Sequence, residues 1–253
     1  MTDLLLVTVA SALAGFVDAI VGGGGLVLVP ALFAAYPGVS PATLFGTNKG
    51  ASVWGTAWAA RLYTQRVKVN WSTLGPAVAA AFVGAALGAC LVTLVPASGL
   101  RRALPFILAG VLIYTLSRRE FGREHAPRLA PHAERWAGVA IGAAIGFYDG
   151  FFGPGTGSFF VFLLVRWLGY DFLNASASAK VLNVATNVAA LIFFVSTGHM
   201  LWLVAACMAV ANVLGSFFGT RLALRRGAGF VRGVFIVVVT LLILRTGYDA
   251  WRV

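Results

Sequence analysis

The feature that most constrains this chain is a series of unbroken apolar runs, each about 18–25 residues long, which is the length a helix needs to cross a bilayer. Transmembrane strands would instead alternate over about 10 residues. Composition points the same way. Of 253 residues, 60% are apolar or aromatic and 11% are charged, with mean hydropathy +0.89. A soluble domain carries roughly 45–50% and about 25%. The chain reads as an all-α integral membrane protein with the lipid bilayer as its solvent. Disorder, collagen, coiled coils and small disulfide scaffolds are excluded.

A net charge of +11 would suggest nucleic acid in a soluble protein. Here the basic residues fall mostly in short links between apolar runs. They read as topology signals and contacts for anionic headgroups, and no nucleic-acid partner is expected. Cys90 and Cys207 lie inside apolar segments and read as inert buried thiols. The start, Met1-Thr2-Asp3, has no basic region, so the first apolar run is expected to belong to the mature protein.

Shifted by 131 residues, the sequence matches itself without a gap. Gly15-Phe16 falls on Gly146-Phe147, Asp18 on Asp149, Gly22 and Gly24 on Gly153 and Gly155. Lys49 falls on Lys180, Trp71 on Trp202, and Gly84 and Gly88 on Gly215 and Gly219. The expected organisation is two tandem repeats, 1–117 and 136–253, joined by a polar link, 118–135. Each opens with a long apolar segment interrupted by glycine, 4–36 and 136–168. Three spans follow in each: 43–62, 72–95 and 101–117, then 174–196, 200–222 and 231–250.

As one straight helix, each interrupted segment would be about 50 Å long. A hairpin that breaks at glycine and returns to its starting side fits better, a kinked full span being the alternative. Basic residues favour the hairpin. With eight simple crossings the loop Lys and Arg divide ten against seven; with hairpins they divide thirteen against four. Both termini are then expected outside and the 118–135 link inside. The halves would have opposite orientation, an inverted repeat of the kind common in transporters.

Four charges lie inside apolar runs: Asp18, Lys49, Asp149 and Lys180. Each costs about 2.5–3.5 kcal/mol at the bilayer centre unless partnered. The aspartates either pair with the lysines, tying each broken segment to the next span, or carry coupling protons. Lys49 and Lys180 lie about 10 Å into their spans. In inverted halves they would converge on one cavity as two cations, a site for a small anion.

The glycine clusters agree in sign. Gly22-Gly23-Gly24-Gly25 and Gly153-Pro154-Gly155-Thr156-Gly157 each break a membrane helix. The following half-helix presents its positive end and free N–H groups. Neither cluster continues into the Gly-Lys-Ser/Thr of a nucleotide loop. Thr47 and Asn48 precede Lys49, Ser176 and Ser178 precede Lys180, and Asn183 and Asn187 share the face of Lys180. These groups either donate to an anion or glue helices together. Stripes at Gly84/Gly88, Gly215/Gly219 and Gly138, Gly142, Gly146, Gly150 read as close helix packing. No spacing suggests a metal site or a Ser/His/Asp triad, so neither cofactor nor enzyme is expected.

The stretch from Gly15 to Gly25, followed by Gly46-Thr47-Asn48-Lys49, resembles the sulfite exporter TauE/SafE family of membrane permeases. Gly146 to Gly157, followed by Ser176-Ala177-Ser178-Ala179-Lys180-Val181-Leu182-Asn183, is similar to that family's second half. The resemblance implies a bacterial inner-membrane transporter of small anions, often sulfur oxyanions or sulfonates such as sulfite or sulfoacetate, with export the usual direction and the termini then periplasmic. An anion channel using the same cavity, or a scaffold docking partners through 118–135, are the alternatives. Asn48 has no counterpart in the second copy, where Ala179 stands.

Overall fold

The computed structural model describes residues 2–92, positions 106, 109, 112, 113 and 116, and residues 122–251. Among the described residues every regular element is helical. The first half contributes α1 (Thr2–Val21), α2 (Gly24–Ala35), α3 (Pro41–Thr64) and α4 (Trp71–Val92). The second contributes α5 (Pro131–Phe151), α6 (Thr156–Leu163) with a π-helical turn (Leu164–Leu168), α7 (Phe172–Ser196) and α8 (Trp202–Trp251). Apart from the five isolated positions, the expected span over 101–117 lies outside the described residues. In α8, the two expected spans are separated by Gly227, whose φ of 76° and ψ of −172° are not helical.

Local chemistry sets the starts. Ser40 caps α3, its hydroxyl accepting from the N–H of Thr43, and Pro41 supplies the first-turn φ. Asp171 caps α7, accepting from the N–H groups of Leu173 and Asn174 at 2.7 Å each.

Both glycine clusters turn the chain back on itself. Gly22 (φ +80°) ends α1, and Gly24 then lies against the carbonyl of Ala14 and the side chain of Asp18. The far end of α2 returns to the start of α1, where Leu32 and Tyr36 share an apolar cluster with Leu4 and Val7. In the second half, Gly153 (φ +86°) and Gly155 (φ +84°) make the turn. Tyr170, just beyond the π-helical turn, donates to Glu134 at the start of α5. Burial and this hydrogen bond push the Tyr170 hydroxyl above its ordinary range. Two helical hairpins result.

Among the described residues four helices are long and apolar enough to cross a membrane: Thr2–Val21, Trp71–Leu91, Phe172–Ser196 and Trp202–Leu241. On the last, Leu203, Val210, Leu214 and Phe218 stay exposed, an apolar stripe suited to lipid. The protein is a multi-pass, all-helical membrane protein.

The hairpins pack across the halves. Leg α1 lies on α8, with Gly215 against Ala12 and Phe16, and Gly219 against Phe16. Leg α5 lies on α4, with Gly142, Gly146 and Gly150 against the carbonyls of Ala77, Ala81 and Ala85. A Cβ at any of these glycines would strike backbone, so the glycine stripes set how closely the helices approach. Gly150→Val should therefore cost more than about 3 kcal/mol and abolish monodisperse protein on gel filtration. Gly75→Ala, whose Cβ meets nothing within 4 Å, should leave the melting temperature unchanged or higher.

Candidate functional site

The two hairpin tips touch. The N–H of Ser158 donates to the carbonyl of Gly22 at 3.0 Å, and the Ser158 hydroxyl to Val21 at 3.2 Å. Gly22 and Gly157 face each other with no room for a side chain on either. The hydroxyl of Tyr148 donates to the carbonyl of Pro154 and fixes the second tip. Neither α2 nor α6 has a side-chain cap at its start, so apart from the Ser158 N–H already given to Gly22 their positive ends face what the tips enclose.

The four intramembrane charges meet here in an arrangement the sequence reading did not anticipate. The expected tie was between a broken segment and the next span of its own half. Instead each lysine reaches the aspartate of the other half. Lys49 on α3 lies 2.7 Å from Asp149 on α5, and Lys180 on α7 lies 3.1 Å from Asp18 on α1. All four carboxylate and ammonium side chains are at most 17% exposed. The physical reason is the packing of each hairpin leg against the opposite half.

Hydrogen bonds complete the pairs. Lys49 also donates to the Asn187 carbonyl oxygen at 3.0 Å. The Thr156 hydroxyl lies 2.7 Å from Asp149 Oδ1 and 2.6 Å from the Gly153 carbonyl. Asp18 accepts from the Thr56 hydroxyl at 3.3 Å.

A small hollow of about 50 Å³ lies between the tips. Of the sequence-derived candidates, Gly22, Gly24, Gly25, Gly153, Gly155 and Thr156 line it. So do Asp18, Asn48, Lys49, Asp149, Asn183 and Asn187. Gly23 caps α2 just outside the lining. Lys180 is wholly buried behind Asp18 and does not line the hollow. Thr47 points elsewhere, donating to Thr43 and accepting from the N–H of Leu201. Asn48 is 7% exposed, and its Oδ1 has no hydrogen-bond partner.

The sequence reading missed Ser52, Thr56 and Asn212, which also line the hollow. Two of them carried a signal: at the repeat offset Ser52 and Thr56 correspond to Asn183 and Asn187. Asn212 had none; its amide reaches Ser11 across the α1–α8 seam.

The model of the sulfite exporter TauE/SafE family matches residues 7–246. The chain belongs to that family. Its TauE/SafE relatives include the probable membrane transporter protein YfcA of Escherichia coli (strain K12), 37% identical over 94% of this chain and 87% of the relative. The probable membrane transporter protein ORF9 of a Sinorhizobium species is also 37% identical, over 96% of this chain and 91% of its own. A probable membrane transporter protein of Haemophilus influenzae is 32% identical over 93% and 91%. No solved structure matches this TauE/SafE chain significantly. The protein is thus a membrane transporter of this family.

The cross-half pairing has a direct thermodynamic signature. Lys49→Met or Asp149→Leu alone leaves one buried charge unpaired and should cost about 3–5 kcal/mol. The double variant removes both charges and should recover most of that loss. Combining Lys49→Met with Asp18→Leu should instead be worse than either single change. Melting temperatures of the purified variants in one detergent decide between these partnerships.

Proposed function

We propose that this transporter is a secondary carrier of small oxyanions, with sulfite and sulfonates such as sulfoacetate as the substrate class, working by alternating access in a bacterial inner membrane. The observation that supports this reading best is the pair of buried Lys–Asp contacts exchanged between the halves at the tips of two glycine-broken hairpins. In this reading the halves are inverted repeats, the termini are periplasmic, and the hairpins enter from opposite sides.

At rest each lysine is neutralised, so the site holds little net charge. An anion entering the hollow takes the carboxylate's place at Lys49, assisted by the open helix ends and by the amides of Asn183 and Asn187. The displaced carboxylate is left without a cation. A proton arriving with the anion, taken up by Asp149 itself or by Asp18, restores the charge balance and makes that aspartate the coupling group. Thr156 holds the Asp149 carboxylate in position. Asn48 supplies an acceptor where the other groups supply donors, which suits an oxyanion that carries one O–H, such as hydrogen sulfite. Export of the anion, against uptake, is the direction favoured by the family name.

The test is uptake and counterflow in proteoliposomes loaded with sulfite, sulfoacetate, thiosulfate, acetate or phosphate. Wild type should show saturable flux of a sulfur oxyanion. The double variant Lys49→Met with Asp149→Leu should fold yet lose at least tenfold in rate, separating transport from stability. Asp18→Asn and Asp149→Asn should weaken the pH dependence of flux. Flux that does not saturate and shows no counterflow would indicate a channel, and undiminished flux in the double variant would remove the pair from the transport site.

A further inference from the structure

A second hollow, of about 1150 Å³, opens on the flank of the protein where α1, α3, the start of α7 and α8 meet. Its walls are of two kinds. Phe16, Leu62, Phe217, Phe218 and Leu224 make an apolar surface, and Arg66, Arg221 and Arg225 stand around it. Among the described residues none of these three arginines has a carboxylate partner. Phe217, Arg221 and Arg225 follow one another at four-residue spacing, so they share one face of α8. The Arg221 guanidinium lies over the Phe217 ring, 5.0 Å from its centroid, which leaves its edge N–H groups turned outward.

The position of the arginines along α8 fixes their depth. Trp202, exposed at the start of the helix, has the character of an interface anchor. Arg221 lies 19 residues further on, or about 28 Å along an α-helix, roughly the full thickness of the hydrocarbon core. The arginines therefore sit at headgroup level on the opposite face from Trp202, while Phe218, 61% exposed, points to the acyl region beside them.

The internal repeat supplies an independent argument. At the 131-residue offset Arg66, Arg221 and Arg225 correspond to Thr197, Cys90 and Leu94. Both halves carry the hairpin, the aspartate and the lysine, yet these three positions are basic in one register of the repeat and neutral in the other. The arginines are thus no part of the machinery the halves share, and they answer to something present at one face of the membrane only.

We infer that this hollow is a binding site for one anionic phospholipid, its phosphate held by Arg66, Arg221 and Arg225 and an acyl chain laid along Phe16, Phe217 and Phe218. Guanidinium forks match phosphate oxygens two at a time, and a basic pocket between membrane helices on one side is the form such sites take. A small hydrated oxyanion would satisfy the arginines but gain nothing from the aromatic wall. The lipid would fill the seam between the end of α3 and α8.

Native mass spectrometry of the full-length protein, released from micelles containing equal phosphatidylglycerol and phosphatidylcholine, tests this. Wild type should retain at least threefold more phosphatidylglycerol than phosphatidylcholine. Changing Arg66, Arg221 and Arg225 together to Gln should erase that preference. Changing Arg61, Arg135 and Arg226 to Gln removes the same charge from exposed positions outside the hollow and should leave it intact. Unchanged circular dichroism in both variants guards against misfolding. Equal retention of the two lipids by wild type, or a preference that survives in the first variant, would overturn the site. So would loss of bound phosphatidylglycerol on adding millimolar inorganic phosphate, which would make it a site for small anions.

Discussion

The structure depends on placing four charges inside a bilayer at a tolerable cost. Unpartnered, Asp18, Lys49, Asp149 and Lys180 would together cost roughly 10–14 kcal/mol on insertion scales, as much as the whole net stability of a typical fold. Pairing Lys49 with Asp149 and Lys180 with Asp18 removes most of that penalty. Because each contact joins opposite halves, neither half can satisfy its own charges. The glycine seams impose the same requirement by another route. α1 finds its flat partner in α8, and α5 finds its own in α4. Charge and shape therefore ask for the same interleaved arrangement.

That arrangement explains why the tips are built of glycine. Each must turn a helix back within a few residues, which calls for the left-handed φ of Gly22, Gly153 and Gly155. Each must also let the other tip approach to backbone contact, which Gly22 and Gly157 allow. The same residues then leave two helix starts without side-chain caps beside the hollow. Pro154 lies in the turn, where its missing N–H is no loss and its carbonyl receives the Tyr148 hydroxyl. One short motif thus serves turn geometry, packing and electrostatics together.

Much of this was legible in the sequence. The length of the apolar runs established the class, and the offset exposed the hairpins, the aspartates and the lysines as a repeated set. The partnerships were not legible. Spacing along a helix says which residues share a face but not which helix that face meets, and here the meeting is with the other half. Thr47 illustrates the limit. One residue before Asn48 and two before Lys49, it is rotated about 100° from the first and about 160° from the second around α3 and fastens the Leu201 turn instead. Ser52 and Thr56 illustrate the reverse. They attract no notice alone, yet the offset places them opposite Asn183 and Asn187, and the fold brings all four to one hollow.

The repeat is imperfect where it matters most for a carrier. Lys49 and Asp149 are held at 2.7 Å, with Asn187 and Thr156 completing their hydrogen bonds, and both side chains are under a tenth exposed. The related contact is longer, at 3.1 Å, and has Thr56 in the place of Asn187 and Gly25 in the place of Thr156. Asp18 is also the more exposed of the two carboxylates, at 17% against 5%. A carboxylate with longer hydrogen bonds and more access gives up its lysine at lower cost. Yet Lys180 is sealed behind Asp18, whereas Lys49 faces the hollow beside the unpartnered oxygen of Asn48. The cation best placed to meet a ligand is the one more firmly held, and the carboxylate easier to release guards the cation that is harder to reach. In the proposed carrier that opposition gives the two halves different tasks, with Lys49 receiving the anion and Asp18 accommodating the charge it brings.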